Sequence, residues 1–362
     1  MAARSETEAL LASAAADLLD GEGGLARTRA RRDAGGGLDR AVWGRMAEMG
    51  WFSLLLPEAH GGLGLAPADA LAFLEEIGAR LAPEPVVAAI AAQPLLAACG
   101  TAAADALLAR AAAGAVVVCA DPGEGAPGAM AGAEGLAFAP PGVDAAVAFD
   151  AAGRRLLALD PAEARALATV DGGALAFLAD GPGAVLLGEG AAAEAAFAAA
   201  RDVMRLGHAA ELCGLTGRAL DMTLDYMRLR RQFGQPIGAF QALQHRAATH
   251  FVDVSATRAV VREAGRAFGT PKQAGAAAAA KAAAGAAALR VLKDCIQLHG
   301  AIGFADEHDI GLYLRRAMVL AAAAGPPRAC RAVFGTARAA ELEAPLPRRT
   351  ARAAGLAASH AN

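Results

Sequence analysis

The chain has 362 residues, 56% of them hydrophobic, which is enough material for two or three domains with real cores. Its formal net charge of -3 and pI of about 6.2 exclude a general nucleic-acid binder, which would carry a strongly basic face. Its five cysteines are odd in number and never form a CxxC pair, so the sequence predicts neither a disulfide framework nor a metal site.

The N-terminus is acidic and lacks the basic start and long apolar core of a signal peptide, so we expect a cytoplasmic protein. Residues 1–113 show apolar side chains at helical intervals and predict an N-terminal α-helical domain. Residues 114–188 consist of short apolar runs, such as AVVVCA and RRLLALD, separated by Gly, Pro and Asp. They predict a reduced middle β domain.

Helical patterns return over 189–343 and predict a C-terminal four-helix bundle, whose later helices cover 237–268, 271–299 and 308–323. The run GAAAAAKAAAGAAALRVL is apolar but contains Lys281 and Arg290, so it predicts a buried helix and no membrane span. Residues 344–362 predict a flexible tail. The predicted fold class is therefore mainly α with a small β domain.

The first bundle helix is predicted to end in MRLRRQFGQPIGAFQ. Arg228, Arg230 and Arg231 occupy its last turn, where positive charge is favourable, and Gly234 and Pro236 prevent its continuation. These residues are explained either by helix capping alone or by a site in which an arginine binds a phosphate beside an aromatic ring. The segment alone leaves both interpretations open.

A second segment, DCIQLHGAIGFADEHD, places two glycines and polar side chains between helices, where the backbone could approach a flat or charged ligand. Together the two segments resemble motifs of the acyl-CoA dehydrogenase family. The first motif is similar through Arg230, Gln232, Phe233, Gly234, Pro236, Ile237, Phe240, Gln241 and His245. The second is similar through Gln297, His299, Gly300, Gly303, Phe304, Glu307, His308 and Asp309. The N-terminal MGWFSLLLPEAHGGLGL also looks like the family's first-domain signature.

The resemblance implies an N-terminal helical domain, a middle β-barrel-like domain and a C-terminal four-helix bundle. It also implies FAD as cofactor, an acyl-CoA or other acyl thioester as substrate, and electron-transfer flavoprotein as electron acceptor. The first-motif corner of one subunit would contact the FAD of its neighbour, so a homo-oligomer or a heteromer is expected. The implied FAD contacts are Arg230, Phe233, Gln241, Gln297, Gly300 and Gly303.

The catalytic base that the resemblance implies is a glutamate, because removing a proton from a weak carbon acid demands a strong base close by. Its usual position falls on Ala324, and its less common position, before Arg205, falls on Met204. Glu211, in the apolar AAELCG, is our candidate base, and Arg205 is the candidate substrate-binding residue. Alternatively Glu211 pairs with Arg205 or Arg218, and His208 is a weaker candidate catalyst.

The middle β domain departs from the family. Its nearest equivalent of the usual flavin-side strand is CADPGEGAPGA, and no tryptophan follows Trp51. The chain is therefore interpreted as an FAD-dependent enzyme of acyl thioester dehydrogenation or as one subunit of a heteromeric acyl-CoA dehydrogenase. The alternative is a non-catalytic partner or scaffold that has lost flavin chemistry. Asp306 and Glu307 are interpreted as partners of Arg315 or Arg316.

Overall fold

The structure is a computed structural model and describes residues 5–120, 137–161, 165–178, 180–181 and 183–343. The predicted tail, 344–362, lies outside the described residues, as does most of the CADPGEGAPGA segment. The chain is mainly helical with a small β part, as predicted. Its division into domains stays a prediction.

Six helices form the N-terminal part. They are α1 Glu6–Gly21, α2 Gly24–Asp33, α3 Arg40–Glu48, α4 Leu71–Ala79, α5 Val86–Cys99 and α6 Ala102–Ala112. Hydroxyl and carboxylate side chains cap three of them at the N-terminus, where the first backbone N–H groups lack partners. Trp43 stacks on Phe52 with ring centroids 3.9 Å apart, and Trp51 packs edge to face against Phe73. These four rings are part of the hydrophobic core.

Among its described residues, the β part forms two small sheets. The strands are β1 Val117–Cys119, β2 Ala137–Ala139, β3 Ala145–Asp150, β4 Arg155–Leu159, β5 Arg165–Ala168, β6 Ala174–Leu178 and β7 Val185–Glu189. One sheet has the order β1-β3-β4-β7, with β1 parallel to β3, and the other has the antiparallel order β2-β6-β5. Sequence patterns indicated β1, β3, β4 and β7, but the alanine-rich β2, β5 and β6 carry too weak a strand signal.

The C-terminal part contains five long helices. They are α7 Gly190–Leu229, α8 Gln241–Arg266, α9 Gln273–His299, α10 Ile310–Ala322 and α11 Pro327–Glu343. α11 is an addition to the four predicted helices and packs on α9, where glycines allow close approach. α9 and the turn after it, 273–304, are long and apolar enough to cross a membrane, but 67% of the most apolar window is buried inside the protein. α9 therefore fits a core helix.

α7 crosses α4 at very short range because both helices have glycine there. A Cβ built on Gly214 would lie 1.8 Å from the carbonyl oxygen of Glu75, and one built on Gly78 would lie 2.1 Å from that of Glu211. From residue 204 to 217 every residue of α7 is buried. The middle of α7 is thus enclosed on all sides.

Ion pairs connect the three parts of the chain around the turn before α10. Asp306 accepts hydrogen bonds from Arg32 of α2 and from Arg315 of α10, which confirms the predicted pairing with Arg315. Arg316 instead pairs with Asp171 of the β part at 3.2 Å. No ion pair of Glu307 is seen within the described part of the chain. This network fixes the position of the second motif.

Candidate functional site

The first motif forms an outward-facing corner between α7 and α8. A two-residue hairpin, in which Arg231–Gln232 pairs with Gln235–Pro236, makes the corner. Phe233 at its tip is 91% exposed and has a left-handed φ of 50°, which costs a residue with a side chain about 1 kcal/mol. Arg230 and Gln241 are also exposed. The corner therefore exposes the Arg230 guanidinium and the Phe233 ring to solvent, and the backbone conformation of Phe233 slightly destabilises the fold.

The second motif follows the end of α9. Gly300 is exposed with φ 66° and ψ -141°, a backbone conformation that favours glycine, and no atom lies within 4 Å of a Cβ built on it. Gly303 is buried, and its Cβ would lie 2.5 Å from the carbonyl oxygen of Ile296. Packing accounts for Gly303, whereas the backbone at Gly300 is open to a ligand.

The two motifs lie at the same end of the helical bundle. Tyr226, near the end of α7, stacks on His299 at the end of α9 with ring centroids 4.6 Å apart. Met227 and Leu298 belong to one small apolar cluster together with Ala247 of α8. The end of α7, which leads to Arg230 and Phe233, and the end of α9, which carries Gln297 and leads to Gly300, therefore lie side by side. Their role in one binding site stays a prediction.

A cavity of about 610 Å³ opens on this end between α8 and α9. Its lining residues are all polar or charged: His245, Arg246, Thr249, His250, Arg290, Lys293, Asp294 and Gln297. Burial alone would raise the pKa of the Asp294 carboxyl, but hydrogen bonds from Arg246 and His250 hold that pKa below its usual value. Lys293 has no ion-pair partner within the described ranges, so the cavity carries surplus positive charge.

The middle of α7 contains the second candidate region, centred on Arg205. The Arg205 side chain is 1% exposed, and its Nε donates a hydrogen bond of 3.2 Å to the carbonyl oxygen of Ala324. This hydrogen bond joins the residue after position 204 to position 324, the two positions where the family resemblance implies a base. Met204 is buried, and Ala324 has a left-handed φ of 54°. Neither position offers a carboxylate.

Lys281 of α9 holds the same connector between α10 and α11. Its ammonium group is fully buried and donates to the carbonyl oxygens of Ala321 at 2.9 Å and Gly325 at 3.3 Å. The Ala321 carbonyl lies in the last turn of α10, where the helix dipole favours a cation, and Gly325 belongs to the connector itself. Arg205 and Lys281 therefore clamp the connector from two helices.

Glu211 lies two turns beyond Met204 on α7. Its side chain is 2% exposed, and its Oε2 is 2.8 Å from Nδ1 of His208, which is also buried. The structure thus pairs Glu211 with His208 and corrects the alternative in which it pairs with Arg205 or Arg218. With a rise of about 1.5 Å per residue, Glu211 lies about 9 Å along the helix from Arg205.

Asp202 is a buried carboxylate that the sequence analysis missed. Its Oδ1 is 3.4 Å from Nη1 of Arg205, and its Oδ2 accepts a hydrogen bond from Gln273 of α9. Burial raises the pKa of the Asp202 carboxyl above its usual value, against the opposing effect of these two partners. An aspartate three residues before an arginine in an apolar helical run was the signal that could have revealed this pair.

Comparisons with known proteins place the chain in a family. Residues 5–115 match the profile of the acyl-CoA dehydrogenase N-terminal domain, and residues 195–334 match that of the C-terminal domain. Acyl-CoA dehydrogenase IpdE2 of Mycolicibacterium smegmatis is 33% identical over 329 residues, which are 90% of this chain and 96% of that protein. The chain belongs to the acyl-CoA dehydrogenase family.

Solved structures share its fold. The Tcur3481-Tcur3483 steroid ACAD superposes with a TM-score of 0.81 at 25% identity, covering 94% of this chain and 99% of that one. The ChsE4-ChsE5 complex from Mycobacterium tuberculosis superposes with a TM-score of 0.78 at 22% identity, covering 95% and 99%. Butyryl-CoA dehydrogenase from Megasphaera elsdenii gives 0.79 at 20% identity, covering 93% and 99%.

Members of this family generally use FAD, and the exposed end of the bundle suits its adenosine diphosphate half. An exposed guanidinium at Arg230 suits a phosphate, and the Phe233 ring suits a planar base. The Gln297 amide borders the positively charged cavity. The donor set therefore fits an anionic dinucleotide.

Proposed function

We propose that this chain is an FAD-binding chain of an acyl-CoA dehydrogenase that introduces a double bond between the α and β carbons of an acyl thioester. The observation that carries the proposal is the meeting of both motifs at one end of the bundle, with Arg230 and Phe233 facing away from their own chain. FAD, when bound, accepts the hydride from the β carbon. Electron-transfer flavoprotein is the proposed acceptor of the electrons.

The proposed cofactor contacts are Arg230, Phe233, Gln241, Gln297 and Gly300, with Gly303 shaping the turn. Because Arg230 and Phe233 face outward, they would contact a cofactor that a second chain also holds. The active assembly is therefore an oligomer, either of identical chains or with a second acyl-CoA dehydrogenase-like chain. Arg205 is the proposed residue on the substrate side. It would act through the α10–α11 connector, to which it bonds at Ala324.

In a self-sufficient enzyme Glu211 is the proposed base. It is a buried carboxylate with a histidine 2.8 Å away, so it has one ionisable partner and almost no contact with water. His208 would orient the carboxylate.

A shared site is the second candidate function. Ala324 and Met204 occupy the two positions at which the resemblance implies a base, and both lack a carboxylate. In this case the chain contributes the adenosine end of the site, and a second chain contributes the base. The fold similarity to the ChsE4-ChsE5 complex, which by its name contains two different chains, is compatible with this arrangement.

The test of the proposal is a visible spectrum of the purified protein, with FAD counted per subunit and the oligomeric mass measured on the same sample. We expect bound flavin in an oligomer. About one FAD per subunit supports the self-sufficient enzyme, and flavin retained only with a co-expressed second chain supports the shared site. A colourless protein that stays colourless with that chain contradicts both, and so does a monomer with stoichiometric FAD.

Glu211→Gln separates the two functions in a sample that holds flavin. We expect the substrate to bleach the flavin absorbance of the wild type and to bleach that of the variant at least about a hundredfold more slowly, as for loss of a general base. Glu194→Gln is the matched control, because Glu194 is a surface carboxylate on the same helix. Unchanged bleaching in Glu211→Gln removes this residue from the mechanism.

A further inference from the structure

A second cavity of about 460 Å³ lies in the N-terminal part, away from both regions described above. It is bounded by α3, α5, α6 and the short 3-10 turns Trp51–Ser53 and Glu58–His60. These turns belong to the MGWFSLLLPEAHGGLGL segment, which the proposed function does not use. The cavity is therefore separate from the proposed flavin site.

Gln93 of α5 lines this cavity and is 5% exposed, yet its side-chain amide forms no hydrogen bond within the described part of the chain. The amide atoms of Gln93 do not belong to the fully buried polar atoms that lack a partner, so the amide keeps access to solvent through the cavity. Glu75 and Glu84, which are comparably buried in the same part of the chain, are paired with Arg258 and Arg27. The unpaired amide of Gln93 is therefore a feature of the cavity.

The rest of the lining is apolar inside and polar at the rim. Phe52 and Leu108 are buried walls, and Phe52 is held in place by its stacking on Trp43. Ala109 of α6 is exposed at the rim, where a larger side chain would narrow the mouth of the cavity. Asp105 at the rim is exposed and has no ion-pair partner among the described residues.

We propose that this cavity binds a small planar molecule with an amide edge, that is, a carboxamide or lactam on an aromatic ring. A glutamine amide offers one acceptor and two donor positions, so it can form two parallel hydrogen bonds with another amide. The ring would pack against Phe52 and Leu108, and Asp105 would accept a further N–H and repel anions. This site is independent of the proposed flavin chemistry.

The test is a titration of the full chain with nicotinamide and benzamide, followed by saturation-transfer NMR and calorimetry, with benzoate as the anionic analogue. We expect both amides to bind and benzoate to bind at least about tenfold more weakly, because it lacks the N–H donors and meets Asp105. Gln93→Leu should weaken amide binding by about tenfold or more, since it removes the hydrogen-bonding amide from the cavity.

Ala109→Leu should weaken binding by about tenfold or more because it narrows the mouth of the cavity, while Ala106→Leu, at an exposed position of the same helix outside the cavity lining, should leave binding unchanged. If Gln93→Leu does not fold, Ala109→Leu alone still decides the question. The proposal is overturned if neither amide binds the wild-type chain, if benzoate binds as tightly as benzamide, or if Ala109→Leu binds like the wild type.

Discussion

The middle and the end of α7 present opposite solutions for polar side chains. In the middle, Asp202, Arg205, His208 and Glu211 are all buried and bond to one another or to backbone carbonyls. At the end, Arg230 and the corner that follows face outward. A buried polar group without a hydrogen-bond partner destabilises the folded state, so the polar groups in the middle of α7 bond within the protein. The exposed end of α7 is solvated, and its donors remain available to a ligand.

Under the proposed function, this difference lets one chain offer a cofactor-binding end although positions 204 and 324 lack a carboxylate. The corner makes few contacts with its own core, so its exposed groups are available to a ligand. The middle is coupled to α4, α9 and the α10–α11 connector, where the cations Arg205 and Lys281 bond to backbone carbonyls.

Arg205→Leu should produce the largest effect on stability. The substitution leaves the Asp202 carboxylate buried without its cation and leaves the Ala324 carbonyl without that donor. Breaking a buried pair in this way costs about 3–5 kcal/mol in free energy of unfolding. Denaturant titration followed by circular dichroism measures the loss.

Arg266→Leu is the control for this prediction. Arg266 pairs with Glu263 on the surface of α8, three residues away, and both side chains are largely exposed. Exposed pairs contribute about 0–1 kcal/mol, so the control should unfold close to the wild type. Equal losses in the two variants would contradict the contrast between enclosed and exposed charges.

Gly214→Ala should have the next largest effect, because it tests how tightly the middle of α7 is enclosed. The added methyl group would meet the backbone of Glu75, which cannot move without separating α4 from α7. Overpacking of this kind costs about 1–3 kcal/mol, occasionally more. Urea unfolding measures the loss.

Gly44→Ala is the matched control for Gly214→Ala. Gly44 lies inside α3, and no atom lies within 4 Å of its added methyl group. An alanine there should stabilise the protein by about 0.5–1 kcal/mol, since glycine is the poorer helix former. A Gly214→Ala protein as stable as the wild type would show that the two helices are not in close contact.

The contrast between the enclosed middle and the exposed end of α7 also explains which features could be predicted from the sequence. The corner motif could be recognised from sequence because Arg230, Phe233 and Gly234 are close together in the chain. They are exposed, so core packing does not determine which residue types occur there. The helices of the bundle were predicted from apolar spacing, with ends within a few residues of those observed. The Arg205–Ala324 and Lys281–Gly325 contacts join residues far apart in the chain, and no local pattern indicates them.

Phe233→Ala should affect cofactor retention and leave the fold intact. Phe233 is 91% exposed with a left-handed φ, so its side chain contributes little to the core. We expect about tenfold weaker FAD binding, the effect of about 1.4 kcal/mol, and a change in unfolding free energy within about 0.5 kcal/mol. FAD release on dilution measures the first quantity and thermal unfolding of the cofactor-free protein measures the second. Unchanged FAD binding would remove Phe233 from the proposed contacts.

The smallest expected effect is the pH dependence that His299 introduces where the two motifs meet. Burial and the nearby His308 lower the pKa of His299 from its ordinary 6.5, although the hydrogen bond to the Cys295 carbonyl opposes this. His299 Nε2 is buried without a partner, so a second ring N–H would find no acceptor. The folded state therefore favours the neutral ring, whose contribution to stability is complete above pH 6.5 and is lost as pH falls through the lowered pKa.

His299→Phe keeps a ring against Tyr226 but removes this titration. As pH falls from about 7 to about 5, the wild type should lose more unfolding free energy than the variant. Thermal unfolding at a series of pH values measures the two slopes, and NMR titration of the wild-type ring measures its pKa directly. Parallel slopes together with an ordinary ring pKa would mean that water reaches His299, and the end of α9 would then be as open as the corner beside it.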